Sequence, residues 1–123
     1  MDKINHKLQE AFGRVVYAIA KIDGEVQQIE IDVFKDLIEH HPWGQQISDV
    51  FYQETEMNND PNIIFLKAMK VFRAHGPSEH YPFFINLLEK IAQAHDGIID
   101  EEQKMINRFK EGLLEDVNNN HLF

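Results

Sequence analysis

The feature of this chain that most constrains its fold is the repeated three-and-four spacing of its apolar residues, which places them on one face of a helix. The clearest stripe comprises Phe83, Phe84, Leu87, Leu88, Ile91 and Ala92. The 123 residues make one ordinary domain, and six Gly and four Pro leave little material for the turns of a β-sandwich. We therefore predict an all-α fold, a compact bundle of about six helices.

Residues that end helices divide the chain into six predicted segments. Asp23-Gly24 ends the first helix and Pro42 stops the second. The predicted helices cover residues 4–22, 28–40, 45–57, 62–75, 78–92 and 100–115, with Asp60 capping the fourth and Ser78 the fifth. The first and fifth have the widest apolar faces, so we expect them at the buried centre. Residues 1–117 are predicted to form a single domain and residues 118–123 a frayed tail.

Charge and composition narrow the classes of partner. Twenty-one acidic and twelve basic residues give a formal net charge of −9, which opposes binding to nucleic acid and to anionic lipid. No apolar run reaches the roughly eighteen residues of a membrane span, and the first residues lack the apolar stretch of a secretory signal. We therefore predict a cytoplasmic protein without membrane insertion. The absence of Cys removes disulfides, thiolate nucleophiles and Cys-ligated zinc.

Two segments of the chain echo each other around Asp-Gly. Residues 18–26 read AIAKIDGEV and residues 91–99 read IAQAHDGII. Each is followed by acidic residues that open the next helix, Glu30 and Asp32 in the first copy and Asp100, Glu101 and Glu102 in the second. We therefore expect two helical hairpins, each turning at Asp-Gly, related by an approximate two-fold pseudo-symmetry.

The strings AIAKIDGEVQQIE and IAQAHDGIIDEEQ resemble the paired signatures of the TerB-like family, found in tellurite-resistance proteins and in the N-terminal domain of some DnaJ-like co-chaperones. The resemblance covers the chain from about Phe12 to Leu114. It implies a compact helical fold, no catalytic activity, and a role in metal or stress responses through acidic residues at the Asp-Gly turns. Two departures are visible: Gln103 takes the position of the second signature Glu, and no J-domain motif follows.

Acidic residues around the two turns are the candidate metal ligands. The first cluster is Asp23, Glu25 and Glu30, and the second is Asp96, Asp100 and Glu102. Such oxygen ligands favour calcium, magnesium or manganese, with zinc only if His95 joins the second cluster. The alternative is structural: both turn aspartates serve the turns, and residues 100–103 form a capping box over exposed amides.

Three functions remain open. The leading hypothesis is a non-enzymatic TerB-like binding module, related to stress responses, that presents an acidic face to a divalent cation or a basic protein partner. The second is a helical scaffold or oligomerisation domain without metal, whose exposed aromatic residues, Trp43 among them, contact another protein. The third is a carboxylate-based hydrolase. We expect no enzyme, because the chain has no nucleophile elbow, phosphate-binding loop, dinucleotide fingerprint or His-Glu-x-x-His motif. The oligomeric state is left open.

Overall fold

The computed structural model describes residues 6–94 and 100–121, with side chains as far as Glu115. In those residues the chain forms six helices and no strand, so the all-α prediction is confirmed. The helices are α1 His6–Lys21, α2 Gln28–Ile38, α3 Gly44–Met57, α4 Pro61–His75, α5 Tyr81–Ala92 and α6 Asp100–His121. None of these six is both long enough and apolar enough to cross a bilayer.

Two helix ends differ from the prediction by three residues or more. Helix α5 begins at Tyr81 with His80 as its N-cap, and Ser78 instead makes a turn before the helix, its Oγ accepting from the N–H of His80 at 3.1 Å. Helix α6 continues to His121, past the predicted end at residue 115. The asparagines at 118–120 lower helix propensity by less than about 1 kcal/mol each, and no Pro or Gly follows to stop the helix. Of the predicted frayed tail, residues 122–123 lie outside the described part.

Helix α1 occupies the centre of the bundle. Ten of its sixteen residues are buried, including every residue from Val15 to Ala20, so the second half of α1 is enclosed by other helices. It packs against α3, α4, α5 and α6. The ring of Phe12 stacks on that of Phe84 in α5, with centroids 4.3 Å apart. Helix α5 packs against α1, α2 and α6. Of the two helices predicted at the buried centre, α1 is therefore the core helix, and α5 is one of the helices that cover it.

Helices α1 and α3 approach each other closely at Gly13. A Cβ at this position would lie 2.7 Å from the carbonyl oxygen of Ile47, a distance that real Cβ atoms do not reach. One turn further along α1, the hydroxyl of Tyr17 donates to the carbonyl of Asn59 in the α3–α4 connection. The absence of a side chain at residue 13 therefore sets the spacing between α1 and α3.

The α2–α3 connection is held against the start of α5 by aromatic packing. The ring of Trp43 lies 4.0 Å from that of His41, 4.7 Å from that of His80 and 5.3 Å from that of Phe83, measured between centroids. Trp43 is half-buried in this group. The residue that the sequence suggested for a partner surface thus packs largely within its own chain.

Candidate functional site

The first Asp-Gly turn has the geometry of a structural turn. Oδ1 of Asp23 accepts from the backbone N–H of Glu25 at 3.2 Å, and the N–H of Gly24 donates to the carbonyl of Lys21 at 2.7 Å. Gly24 has a φ of +110°, a backbone conformation that residues other than glycine rarely adopt. Asp23 and Glu25 are both exposed. The turn therefore places two carboxylates in solvent at the entrance to α2.

Glu30, in the first turn of α2, is a buried acid. Its side chain is only 1% exposed, and Oε1 accepts from the backbone N–H of Gln27 at 3.2 Å, which caps the helix. Its Oε2 is buried and has no hydrogen-bond donor in the described residues unless a neighbouring carboxyl carries a proton. A capping box is thus found at the start of α2, while the one expected at residues 100–103 stays a prediction, because α6 begins next to residues that the structure does not describe. In α6, the side-chain amide of Gln103 donates to Asn107 at 2.9 Å.

The neighbouring carboxyl is that of Glu102, in the first turn of α6. Its side chain is fully buried, and the two carboxyls interact closely enough to share a hydrogen bond. Burial raises the pKa of Glu30 to about 8; the N–H of Gln27 opposes this increase, while Glu102 and, more weakly, Asp23 add to it. At neutral pH the pair therefore retains a proton.

In the first metal cluster predicted from sequence, Asp23 and Glu25 are exposed whereas Glu30 is buried, and the second cluster stays a prediction because Asp96 lies outside the described residues. One member of each, Glu30 and Glu102, meet in the interior, and Asp23 lies near enough for its charge to act on Glu30. Glu25 and Asp100 are exposed. Asp96 and His95 lie outside the described residues, as does the second Asp-Gly turn, so the two-fold relation of the hairpins remains a prediction. Within the described ranges, no three His, Asp or Glu side chains form a group able to hold a metal ion.

Helical periodicity contains the signal that sequence reasoning missed. Glu30 lies four and eight residues before the buried Phe34 and Ile38, and Glu102 lies four and seven residues before the buried Ile106 and Phe109. Both acids thus belong to the inward faces of their helices. Gln103, at the second signature position, is half-buried and points along α6 towards Asn107. The acid that meets Glu30 is therefore the residue before the signature position.

The histidines of the described residues outside the acidic clusters serve different local roles. His75 is exposed at the end of α4, and His40 is exposed beside Glu39, with Nε2 to Oε1 at 3.3 Å. His41 and His80 both contact the ring of Trp43. Burial lowers the pKa of His41, and the nearby His80 lowers it further. Both imidazoles therefore pack against Trp43, and that of His41 resists protonation.

A shallow apolar groove runs between α5 and the middle of α6. It has a volume of about 430 Å³ and is lined by Ser78, Tyr81, Pro82, Ile85, Lys110, Leu113 and Leu114. Leu114 is 60% exposed at its edge. The side chains that line this groove include no pair suited to catalysis, and the groove favours contact with apolar groups of a ligand.

Compared with protein-family models, with curated proteins and with solved structures, the chain matches none. The geometry of the paired carboxyls is thus the most specific functional feature in the described residues.

Proposed function

We propose that this chain is a non-enzymatic binding module that takes up a divalent cation at the Glu30–Glu102 pair, with Asp23 at its edge. The observation that carries the proposal is the contact of two buried carboxyls, each from the helix that follows one Asp-Gly segment. Burying two acids together costs folding free energy, which a bound cation would offset. The resemblance to TerB-like signatures supports the same assignment and a place in stress responses.

The chemistry proposed is an exchange of a proton for a metal ion. At neutral pH the pair holds a proton, and a divalent cation must displace it to be coordinated by both carboxylates. Hard oxygen ligands select magnesium, calcium or manganese. The bound ion would join the first turns of α2 and α6.

Calorimetric titration of the whole chain with calcium, magnesium, manganese and zinc tests the proposal. We expect binding by at least one of the oxygen-preferring ions, with proton release visible as a dependence on the buffer's ionisation enthalpy. Because one proton is displaced, affinity should fall by about tenfold for each pH unit below the pKa of the pair. The absence of heat for every ion would contradict the proposal.

Two neighbouring residues provide a matched pair of variants. Glu102 is fully buried and Glu101 is exposed on the same helical turn. Glu102→Gln should abolish ion binding and Glu101→Gln should leave it unchanged, although both remove one negative charge. Asp23→Ala should weaken binding slightly, since the charge of Asp23 acts on Glu30. Equal responses of Glu101→Gln and Glu102→Gln would contradict the site.

The acidic surface supports a basic protein as a further ligand of the same module. Glu25, Asp100 and Glu101 are exposed around the pair, and the chain's net charge is −9. These carboxylates would attract a cationic segment and orient it towards the Asp-Gly end of the bundle. A Lys-rich peptide should therefore bind more weakly to Glu25→Gln/Glu101→Gln than to wild type, with the loss disappearing at high salt.

A second candidate function is a scaffold, favoured by the apolar groove between α5 and α6. The groove and the exposed Leu114 would accept an apolar segment of another protein without a metal. Light scattering of wild type and Leu114→Asp tests this. A scaffold that self-associates through the groove requires an oligomer that the substitution converts to monomer, whereas a monomeric wild type leaves the cation module as the better assignment.

A further inference from the structure

Helix α4 is a basic element in an acidic protein. Its residues include Lys67, Lys70 and Arg73 but neither Asp nor Glu, whereas the chain as a whole carries a net charge of −9. All three cationic side chains are exposed. The described residues contain four ion pairs, and none of them includes a residue of α4. The three cations therefore face solvent without a carboxylate partner in that part of the chain.

The same side of α4 exposes large apolar side chains. Ile63 is 54% exposed and Leu66 is 55% exposed, and Met57, at the end of α3, is 59% exposed. These are three of the five large hydrophobic residues that the described part of the chain leaves exposed. Their concentration at one corner of the bundle is a feature of docking surfaces more than of solvated helix faces.

Helical spacing joins the apolar and the basic residues into one surface. Ile63, Leu66, Lys70 and Arg73 follow one another at intervals of three and four residues, and Lys67 lies between them on the same side. The opposite side of α4, containing Phe65, Ala68 and Phe72, is buried. We refer to Ile63, Leu66, Lys67, Lys70 and Arg73 as the α4 face. It extends over about 15 Å, nearly three helical turns.

A groove borders the α4 face on its α3 side. It has a volume of about 330 Å³, and Met57, Lys67 and Val71 are among the residues that line it. Its other cation, Arg14, is already occupied, because its Nε lies 3.3 Å from Oε2 of the buried Glu54. Lys67 thus lies without an ion-pair partner where the groove borders the α4 face. A ligand bound in the groove or on the α4 face would contact it.

We propose that the α4 face docks an acidic amphipathic helix of a partner protein. Its apolar residues would pack on Ile63 and Leu66, and its carboxylates would meet Lys67, Lys70 and Arg73. Charge complementarity selects the occupant: a local positive surface with apolar anchors at helical spacing fits a helix whose own stripe is apolar and negative. This ligand is opposite in charge to the basic partner proposed for the Asp-Gly end, so the two sites are independent.

The size of the α4 face favours a helix over an anionic membrane or a nucleic acid. Those polyanions extend well beyond 15 Å and would come within a Debye length, about 8–10 Å, of the surrounding acidic surface. The net charge of −9 then opposes them. A single helix laid on the face contacts only its three cations and two apolar side chains, so it avoids that repulsion.

The test uses a designed helical peptide in which Leu and Glu form one stripe, titrated into the ¹⁵N-labelled full chain. We expect amide shifts concentrated at residues 57 and 61–75 and an affinity that falls as salt rises. Lys67→Glu/Lys70→Glu should weaken binding by about tenfold or more, since two attractive contacts become repulsive. Ile63→Ser/Leu66→Ser should also weaken it, which separates apolar docking from charge attraction alone.

The control variant is Lys90→Glu/Lys104→Glu, which reverses two exposed cations on α5 and α6. It makes the same change in net charge and should leave peptide binding within about twofold if only the local charge matters. Equal losses in both double variants would overturn the proposal. Shifts located away from α4 would overturn it as well. So would tighter binding of phosphatidylserine vesicles or of a DNA duplex than of the peptide at equal ionic strength.

Discussion

Glu30 makes the stability of the fold depend on pH in a direction that is unusual for a carboxyl group. Its pKa in the folded chain is about 8, raised from an ordinary value of 4.5. Between those two values the folded chain binds more protons than the unfolded chain does. Stability is therefore greatest at low pH for this group and is lost as the pH rises from about 4.5 to 8.

Replacing Glu30 with Gln should remove this dependence. The amide keeps the shape and an oxygen for the N–H of Gln27, and its NH₂ group can donate to Glu102. Because one pKa unit corresponds to about 1.4 kcal/mol, we expect Glu30→Gln to be more stable than wild type by a few kcal/mol at pH 8.5 and by much less at pH 5. Urea unfolding across this range measures the difference.

The exposed Glu101 supplies the control for that experiment. Glu101→Gln changes the net charge by the same amount but should shift stability by only a few tenths of a kcal/mol at either pH, the scale of an exposed charge at a helix start. Parallel pH profiles of the free energy of unfolding for wild type and Glu30→Gln would show that burial of Glu30 does not make stability depend on pH.

For His41 we expect the opposite dependence of stability on pH, in the acid range. Its pKa is lowered by burial and by His80, so the unfolded chain takes up a proton first and stability falls as the pH decreases through about 6.5. Trp43 fluorescence should report loosening of this group. His41→Phe should flatten the change between pH 5 and 7, whereas His40→Phe, at a side chain that is 92% exposed, should not.

At the scale of single helices, Gly13 fixes how closely α1 and α3 pack. Gly13→Ala gains helix propensity but forces a Cβ into the carbonyl of Ile47, and we expect a net cost of about 1–3 kcal/mol. Gly112→Ala in α6 is the matched control, because its Cβ would meet only the flexible end of Met69. Thermal unfolding should show a lower Tm for the first variant and an unchanged or higher Tm for the second.

Helix α5 provides a direct measure of core packing. Leu87 and Ile91 are 3% and 1% exposed, so replacing either with Ala should cost about 2–5 kcal/mol through lost burial and a residual cavity. Glu101→Ala, at an exposed helix start, should cost a few tenths of a kcal/mol. Urea unfolding of the three variants at one pH distinguishes these magnitudes, and similar losses for all three would contradict the assignment of α5 to the core.

Periodicity predicted the helices well because it is a local property. The apolar stripe from Phe83 to Ala92 and the stop at Asp23-Gly24 are both visible in short windows of sequence, and the structure has helices there. Periodicity also marks inward faces, but it does not say which helices face each other. The meeting of Glu30 and Glu102 depends on how α2 and α6 are brought together by the whole bundle, so sequence reasoning assigned them to separate clusters.

At the scale of the whole molecule, the distribution of charge matters more than its sum. A net charge of −9 predicts an acidic surface and a basic partner. The structure instead gathers three unpaired cations on α4. Composition could not reveal this, because the total averages over helices that point in different directions. The net charge thus governs which partners are attracted at long range, whereas the α4 face determines which partner is bound in direct contact.

The central position of α1 has a consequence for how the chain is made. A ribosome releases α1 before any of the four helices that enclose it, so its apolar surface emerges without its native cover. The side containing Phe12 is completed only when α5 supplies Phe84 and α6 supplies Phe109. At about 5–20 residues per second, the wait between α1 and α6 is on the order of ten seconds. The nascent chain must therefore pass through a long interval in which its future core helix is open to chaperones or to aggregation.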